Sequence, residues 1–427
     1  MASYQKLTLP NNLRSVTVQL PESQTSTVLV LVRAGSNYET KKQNGVSHFL
    51  EHMLFKGTQK RPSKKVIAEL LDSVGASFNA FTSKEYTGYY VKVASGKIDL
   101  ALDVVSDIYI NSLLDAREVE KERRVILEEL KMREDLPMIK THEAFEELLY
   151  GSQPAGLPIG GTKESVSSIT QQEIAKYYHL HYVAPATTVC LVAPQDHKDS
   201  LEKIKNYFAQ IRDQGLAPGA PKTIDDQKKP QLLVKTKSTD QTHLALGFKA
   251  FPIEHPDRFC LELISLILGG GMSSRLFQKV REEEGLAYYV QSDMNLDTDC
   301  GYFAVKAGVA NEKVGYAVES IINEISDLKK GNIEEKELQK VKDQFKGQTA
   351  LSLESSSDWA SFYGGQEILV NKVLTPQEMF NHINKVSPAD IARVAKSVFV
   401  EEKLNLAIVG PVGKRQEKGF MKLLAID

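Results

Sequence analysis

No stretch of this 427-residue chain stays apolar long enough to span a bilayer, so no membrane contact through a spanning helix is expected. The first residues also lack a basic cluster followed by an apolar run, which argues against a secretory signal. An excess of one charge is missing as well. With 53 Lys and Arg against 55 Asp and Glu, the net charge of −2 leaves no electrostatic footprint for nucleic acid or an anionic membrane surface. Cysteine is scarce. Cys190, Cys260 and Cys300 are odd in number, far apart and set in apolar runs, a pattern of buried reduced thiols rather than a disulfide framework. A cytoplasmic location follows as an expectation. What is present is the composition of a soluble globular protein, 42% hydrophobic and 25% charged, in a chain too long for one ordinary core.

The chain contains a copy of itself. Residues 169–194, ITQQEIAKYYHLHYVAPATTVCLVAP, match 386–411, VSPADIARVAKSVFVEEKLNLAIVGP, without a gap. Each copy opens on a helix cap, Thr170 or Ser387, with an acid three residues on, Glu173 or Asp390, and closes on an apolar strand ending in proline. Gly88–Val93 resembles Gly301–Lys306, and Thr27–Val32 resembles Thr242–Gly247 more weakly. Three pairs in one order predict two homologous domains, 1–212 and 231–427, joined by a Gly-, Pro- and charge-rich linker over 213–230. Strand-like segments rich in Tyr and Val alternate irregularly with amphipathic helices. That order predicts an α+β fold with mostly antiparallel sheets. The N-terminus reads as a strand, a turn at Pro10-Asn11-Asn12 and a second strand.

Chemistry concentrates in residues 48–52, His-Phe-Leu-Glu-His. On a helix, His48 and His52 lie one turn apart on the same face and can grip a single zinc ion, with Glu51 close enough to reach a water on it. The order is the inverse of the usual zinc-protease helix motif. The segment that matches in the second half, around Phe259–Leu266, keeps the apolar helix and has no metal ligand. A catalytic zinc takes three protein ligands and leaves a position open. The third is expected from the acid-rich helix around 120–130, whose Val125, Ile126 and Leu130 are expected on its core side. Pattern alone does not separate Glu122, Glu128 and Glu129. His179 and His181 are the only other close histidine pair and point to different faces of a helix, which reads as structural. Arg281 to Tyr288 reads as the last turn of a helix, a glycine stop at Gly285 and the start of a strand, and Gly269-Gly270-Gly271 as an earlier helix stop.

The string HFLEH followed by LFKGT, then FNAFTSKEYTGYY, then EKERRVILEEL, closely resembles the pitrilysin-like zinc metallopeptidases, the group that includes the mitochondrial processing peptidase and its bacterial homologues. The likeness runs across essentially the whole chain, including the duplication and its unequal second half. It implies two homologous domains, each a mostly antiparallel sheet packed with helices. It implies one zinc ion per chain on His48, His52 and Glu129, with Glu122 supporting the site, Glu51 as general base and Glu128 pointing away. It further implies that Asn79, Ala80, Phe81 and Thr82 form an edge strand to which a peptide substrate adds. Arg281 and Tyr288 would hold the substrate backbone and the developing oxyanion. The implied activity is a zinc endopeptidase acting on peptides or unfolded segments. Members of the family enclose substrate between two halves of two domains each, so this two-domain chain is expected to form a homodimer, or a heterodimer with a related chain. In such a pair Arg281 and Tyr288 would reach the partner's zinc. The family also includes non-catalytic structural or partner subunits with degraded motifs, the alternative reading. Every expected catalytic position is filled here.

Overall fold

The computed structural model describes residues 2–213, 215 and 219–426, so residues 214 and 216–218 of the expected linker lie outside the described residues. The fold is α+β, built on two mixed sheets packed with helices. The first sheet has β1 (Ser3–Thr8), β2 (Arg14–Gln19), β3 (Thr25–Val32), β4 (Ser77–Thr82), β5 (Thr87–Ala94) and β6 (Thr187–Ala193), in the spatial order β1-β2-β6-β3-β5-β4. The second has β7 (Gln231–Thr236), β8 (Thr242–Ala250), β9 (Ala287–Leu296), β10 (Gly301–Val309) and β11 (Leu404–Gly410), in the order β7-β11-β8-β10-β9. Each holds one parallel pair, β2 with β6 and β7 with β11, and is otherwise antiparallel.

The matched sequence segments occupy matched places. β6 and β11, β5 and β10, and β3 and β8 hold equivalent positions in the two orders. The helix before β6 opens on Thr170, whose hydroxyl accepts the Glu173 N–H while the Glu173 carboxylate accepts the Thr170 N–H. Ser387 and Asp390 do the same before β11. These reciprocal caps satisfy donors that a helix start leaves unpaired. At the N-terminus, Asn12 takes the left-handed conformation (φ 65°) that turns β1 back into β2. All three cysteines are buried and free. No helix among the described residues is long and apolar enough to cross a membrane.

The chain packs as two units that are not its contiguous halves. Unit 1 is Met1–Lys131, Leu157–Pro221 and Ala350–Leu374; unit 2 is Met132–Gly156, Lys222–Thr349 and Thr375–Asp427. The expected division at 212 and 231 therefore differs from the packing: each half gives a helix to the other half's sheet. The helix Pro137–Tyr150 lays Ala144, Phe145 and Leu149 against Ala245, Ala304 and Ala407 of the second sheet. The helix Ser356–Val370 lays Ala360, Tyr363 and Ile368 against Val16, Leu29, Leu31 and Val192 of the first. The other face of that sheet, with Val28, Val30, Val32 and Leu191, packs against the helices of the larger core. Successive strand residues point to opposite faces, so a strand covered on both sides is apolar without a break, as Val28–Val32 is.

Candidate metal centre

The site lies in unit 1, on the short helix Val46–Leu54. Its apolar residues Phe49, Leu50 and Met53 are fully buried, which fixes the helix's rotation and turns His48 and His52 to the opposite side. The helix starts without a Ser, Thr, Asp or Asn cap. Gly45 stands there at φ 94°, a conformation that favours glycine, and a Cβ on it would press within 2.9 Å of the Gly160 carbonyl oxygen. The capping is done from a distance by Glu39. Its Oε2 accepts the Gly45 N–H (2.7 Å) and the Asn44 amide (3.0 Å), and its Oε1 accepts the Ser47 N–H (2.8 Å). Burial pushes the Glu39 carboxyl up, and these donors, the Ser47 and Gly45 amides first, work against that rise. A carboxylate is also well placed at the positive end of a helix.

Glu39→Ala should strand the buried Gly45 and Ser47 N–H groups and leave the Asn44 amide only its bond to the Pro158 carbonyl, at a cost of roughly 3 kcal/mol of stability. Glu39→Gln, which keeps one acceptor oxygen, should lose less than half of that. Urea denaturation of the two variants measures it, and an unchanged midpoint for Glu39→Ala would remove Glu39 from the account.

The acidic helix Ala116–Glu134 supplies the remaining side chains. Arg123 anchors it, donating to the carbonyls of Val166 and Ile169 and lying over the Phe49 ring at 5.5 Å. Val119, Glu122 and Ile126 form its buried face. Val125, expected on the core side, is instead 51% exposed: each helical residue turns about 100° from the last, and Ile126 takes the inward place. Leu130 is half-buried and packs on the core as expected.

Glu129 lies two turns after Glu122 and so returns to the same face. Its carboxylate stands 3.6 Å from His48 Nε2 and 3.6 Å from His52 Nε2, and the two ring nitrogens are 3.3 Å apart. Among the described residues, His48, His52 and Glu129 are the only group of three or more His, Cys, Asp or Glu side chains whose donor atoms could share an ion. Tetrahedral zinc with ligands at about 2.0–2.1 Å requires donors about 3.3 Å apart, so the spacing fits that ion closely. Glu128 points away, its side chain exposed and paired with Lys131 at 2.6 Å.

Glu122 is not in the triad but holds it. Its Oε1 lies 2.9 Å from His52 Nδ1, and because a carboxylate only accepts, a neutral His52 in this contact carries its proton on Nδ1 and leaves the Nε2 lone pair for the site. Lys56, from the segment just after the helix, pairs with the other oxygen of Glu122. Burial alone would raise Glu122, but hydrogen bonds from His52 and Lys56 outweigh it and hold the carboxyl below its ordinary range. Sequence reasoning gave Glu39 and Lys56 no role. The one signal for Glu39 was a helix opening on glycine with no capping residue of its own.

Glu51 faces β4. Its Oε2 accepts the Thr82 hydroxyl at 2.6 Å. Burial raises the Glu51 carboxyl, opposed by the Thr82 hydrogen bond and by His52. A raised carboxyl is closer to the operating pH of a general base. β4, with Asn79, Ala80, Phe81 and Thr82, is an edge strand of the first sheet, paired only with β5. Asn79 is exposed, and its Oδ1 takes the Ala80 N–H at 2.9 Å.

Arg281 and Tyr288 lie in unit 2. The helix carrying Arg281 ends in a π-helical turn, Phe277–Glu283, rather than a regular one, with Glu284 N–H reaching the Lys279 carbonyl. Gly285 (φ 58°) then turns the chain into β9. Arg281 stacks over Phe277 at 4.8 Å, and Tyr288, on the edge strand β9, is 60% exposed. His181 is buried against Tyr177 and pushed down to about 4 by that burial, in keeping with its reading as a structural residue.

Residues 14–163 match the model "Insulinase (Peptidase family M16)" and residues 168–345 match "Peptidase M16 inactive domain". The chain is 37% identical to an uncharacterised zinc protease of Bacillus subtilis, over 96% of this chain and 98% of that protein. It is 33% identical to one of Streptomyces coelicolor, over 97% of this chain and 91% of that protein. A protease from Helicobacter pylori superposes with a TM-score of 0.91 at 26% identity, covering 96% of this chain and 99% of that one. A Pseudomonas fluorescens M16 inactive-domain structure shares the fold, with a TM-score of 0.89 at 18% identity, covering 96% and 98%. Sequence, sheet order and histidine helix thus lead to one assignment: the chain belongs to the M16, insulinase-like family of zinc peptidases.

Proposed function

We propose that the protein is a zinc-dependent endopeptidase that hydrolyses peptides or unfolded segments, with His48, His52 and Glu129 holding one zinc ion per chain. What supports this reading above all is the convergence of three donors at 3.3 and 3.6 Å beside a carboxylate, Glu51, that is not among them. Zinc at such a site supplies a Lewis acid that lowers the pKa of a water and polarises a carbonyl. Glu51 removes the proton from the attacking water and delivers it to the leaving amine as the C–N bond breaks. Glu122 keeps His52 in the tautomer that offers Nε2. The peptide pairs with β4 along Asn79–Thr82 through backbone hydrogen bonds, which are largely indifferent to side chains and suit a broad peptidase. The three free, buried thiols suit a cytoplasmic protein.

The direct test is hydrolysis of quenched peptides by the zinc-loaded chain, abolished by chelator and restored by zinc. Full zinc occupancy without turnover, alone or with a related chain, would favour a non-catalytic subunit.

We place Arg281 and Tyr288 at the zinc site of a second copy in a homodimer, where the tyrosine hydroxyl donates to the oxyanion and the arginine binds the substrate backbone. Mixing a Glu51→Gln chain with a Tyr288→Phe chain should restore up to about a quarter of wild-type activity, because random exchange gives half of the dimers as mixed pairs, each with one intact site. No recovery after demonstrated subunit exchange would place the two residues in the same chain as the zinc they serve.

A further inference from the structure

The contact between Glu51 and Thr82 joins the histidine helix to the edge strand, and the proposed reaction does not in itself require it. Glu51 has a flexible side chain, and leaving it free would let the base sample unproductive directions. Its Oε2 is committed to the Thr82 hydroxyl at 2.6 Å, the length of an O–H···O bond to an ionised carboxylate. That leaves Oε1 as the oxygen free to take a proton.

The donor is itself fixed. Threonine is β-branched and stiff at χ1, so its hydroxyl direction follows the strand backbone. Thr82 pairs with Thr87 of β5, and the turn between them is closed by the Ser83 N–H on the Tyr86 carbonyl (2.8 Å) and the Tyr86 N–H on the Ser83 hydroxyl (3.1 Å).

We propose that Thr82 is the positioning residue for Glu51: its hydroxyl selects the carboxylate orientation, so the strand on which peptide docks also aims the base. This rests on the endopeptidase reading above. It assigns Thr82 a side-chain role in addition to the backbone role of the rest of the strand.

The test compares Thr82→Val, which keeps the shape and loses the hydroxyl, with Thr82→Ser, which restores it. In the zinc-loaded protein, Thr82→Val should lower kcat about 10- to 100-fold, the scale of a misplaced catalytic group, with KM within about threefold and zinc content unchanged. Thr82→Ser should stay within about threefold of wild type in both parameters. A crystal structure of each variant supplies a readout independent of turnover. Glu51 should turn or split in Thr82→Val and keep one orientation in Thr82→Ser. An unmoved Glu51 in Thr82→Val, a kcat within twofold of wild type, or a loss expressed in KM alone would overturn the proposal. A wild-type chain that cleaves no peptide would instead sink the endopeptidase reading, and the crystallographic comparison would still decide whether Thr82 orients Glu51.

Discussion

Glu51→Gln should retain one zinc per chain and hydrolyse peptide about 10³-fold more slowly than wild type, the scale of losing a general base. The amide has the length of the carboxylate, and its oxygen can still accept the Thr82 hydroxyl, so local packing survives. It cannot take a proton from water near neutral pH. Glu51 is also outside the set of donors close enough to share an ion, so metal retention should not change. Steady-state hydrolysis with metal analysis on the same sample reads both quantities. Wild-type turnover would remove Glu51 as the base, and loss of zinc with activity would make it a ligand.

Glu129→Gln should weaken zinc binding at least about 100-fold, since it removes a charged donor, where loss of an outer hydrogen-bond partner costs 10- to 100-fold. The neighbouring acids grade the result. Glu122→Gln should fall within that smaller range, because it disturbs the His52 tautomer and not the ion. Glu128→Gln should change nothing, because its side chain faces solvent beside Lys131. Competition with a chromogenic chelator ranks the three. A larger loss for Glu122→Gln or Glu128→Gln than for Glu129→Gln would show that another carboxylate holds the ion.

The difficulty of separating these three acids from sequence has a simple geometric cause. Glu122 and Glu129 are seven residues apart, nearly two full turns, and share a face, so helical spacing admits either as the ligand. Resemblance implies Glu129, and the geometry separates the two acids: Glu122 meets the histidine helix at His52 Nδ1, while Glu129 lies near both Nε2 atoms. The duplication was legible because its markers are local. Capping pairs such as Thr170 with Glu173 and apolar strands such as β6 are written in a few adjacent residues.

The exchanged helices were not legible for the opposite reason. The apolar stripe Ala144, Phe145, Leu149 announces that the helix Pro137–Tyr150 must cover something apolar, but both sheets offer such a surface, and nothing local says which. Their presence explains the unbroken apolar run of β3, which a sheet covered on one side would have rendered as an alternation. Glu39, and the contact of the edge-strand residue Thr82 with Glu51, escaped in the same way. Each touches the histidine helix through a side-chain contact that helical spacing does not record. Val125 shows the smaller error, in which a helix's charged face and its buried edge differ by a single residue step.

The central claim is that His48, His52 and Glu129 share one zinc ion, and anomalous diffraction at the zinc edge from zinc-loaded crystals tests it most directly. A single strong peak per chain is expected, within about 2.0–2.2 Å of one nitrogen from each histidine and one Glu129 oxygen. A peak elsewhere, a peak that Glu129 does not touch, or no peak from protein carrying stoichiometric zinc would contradict it.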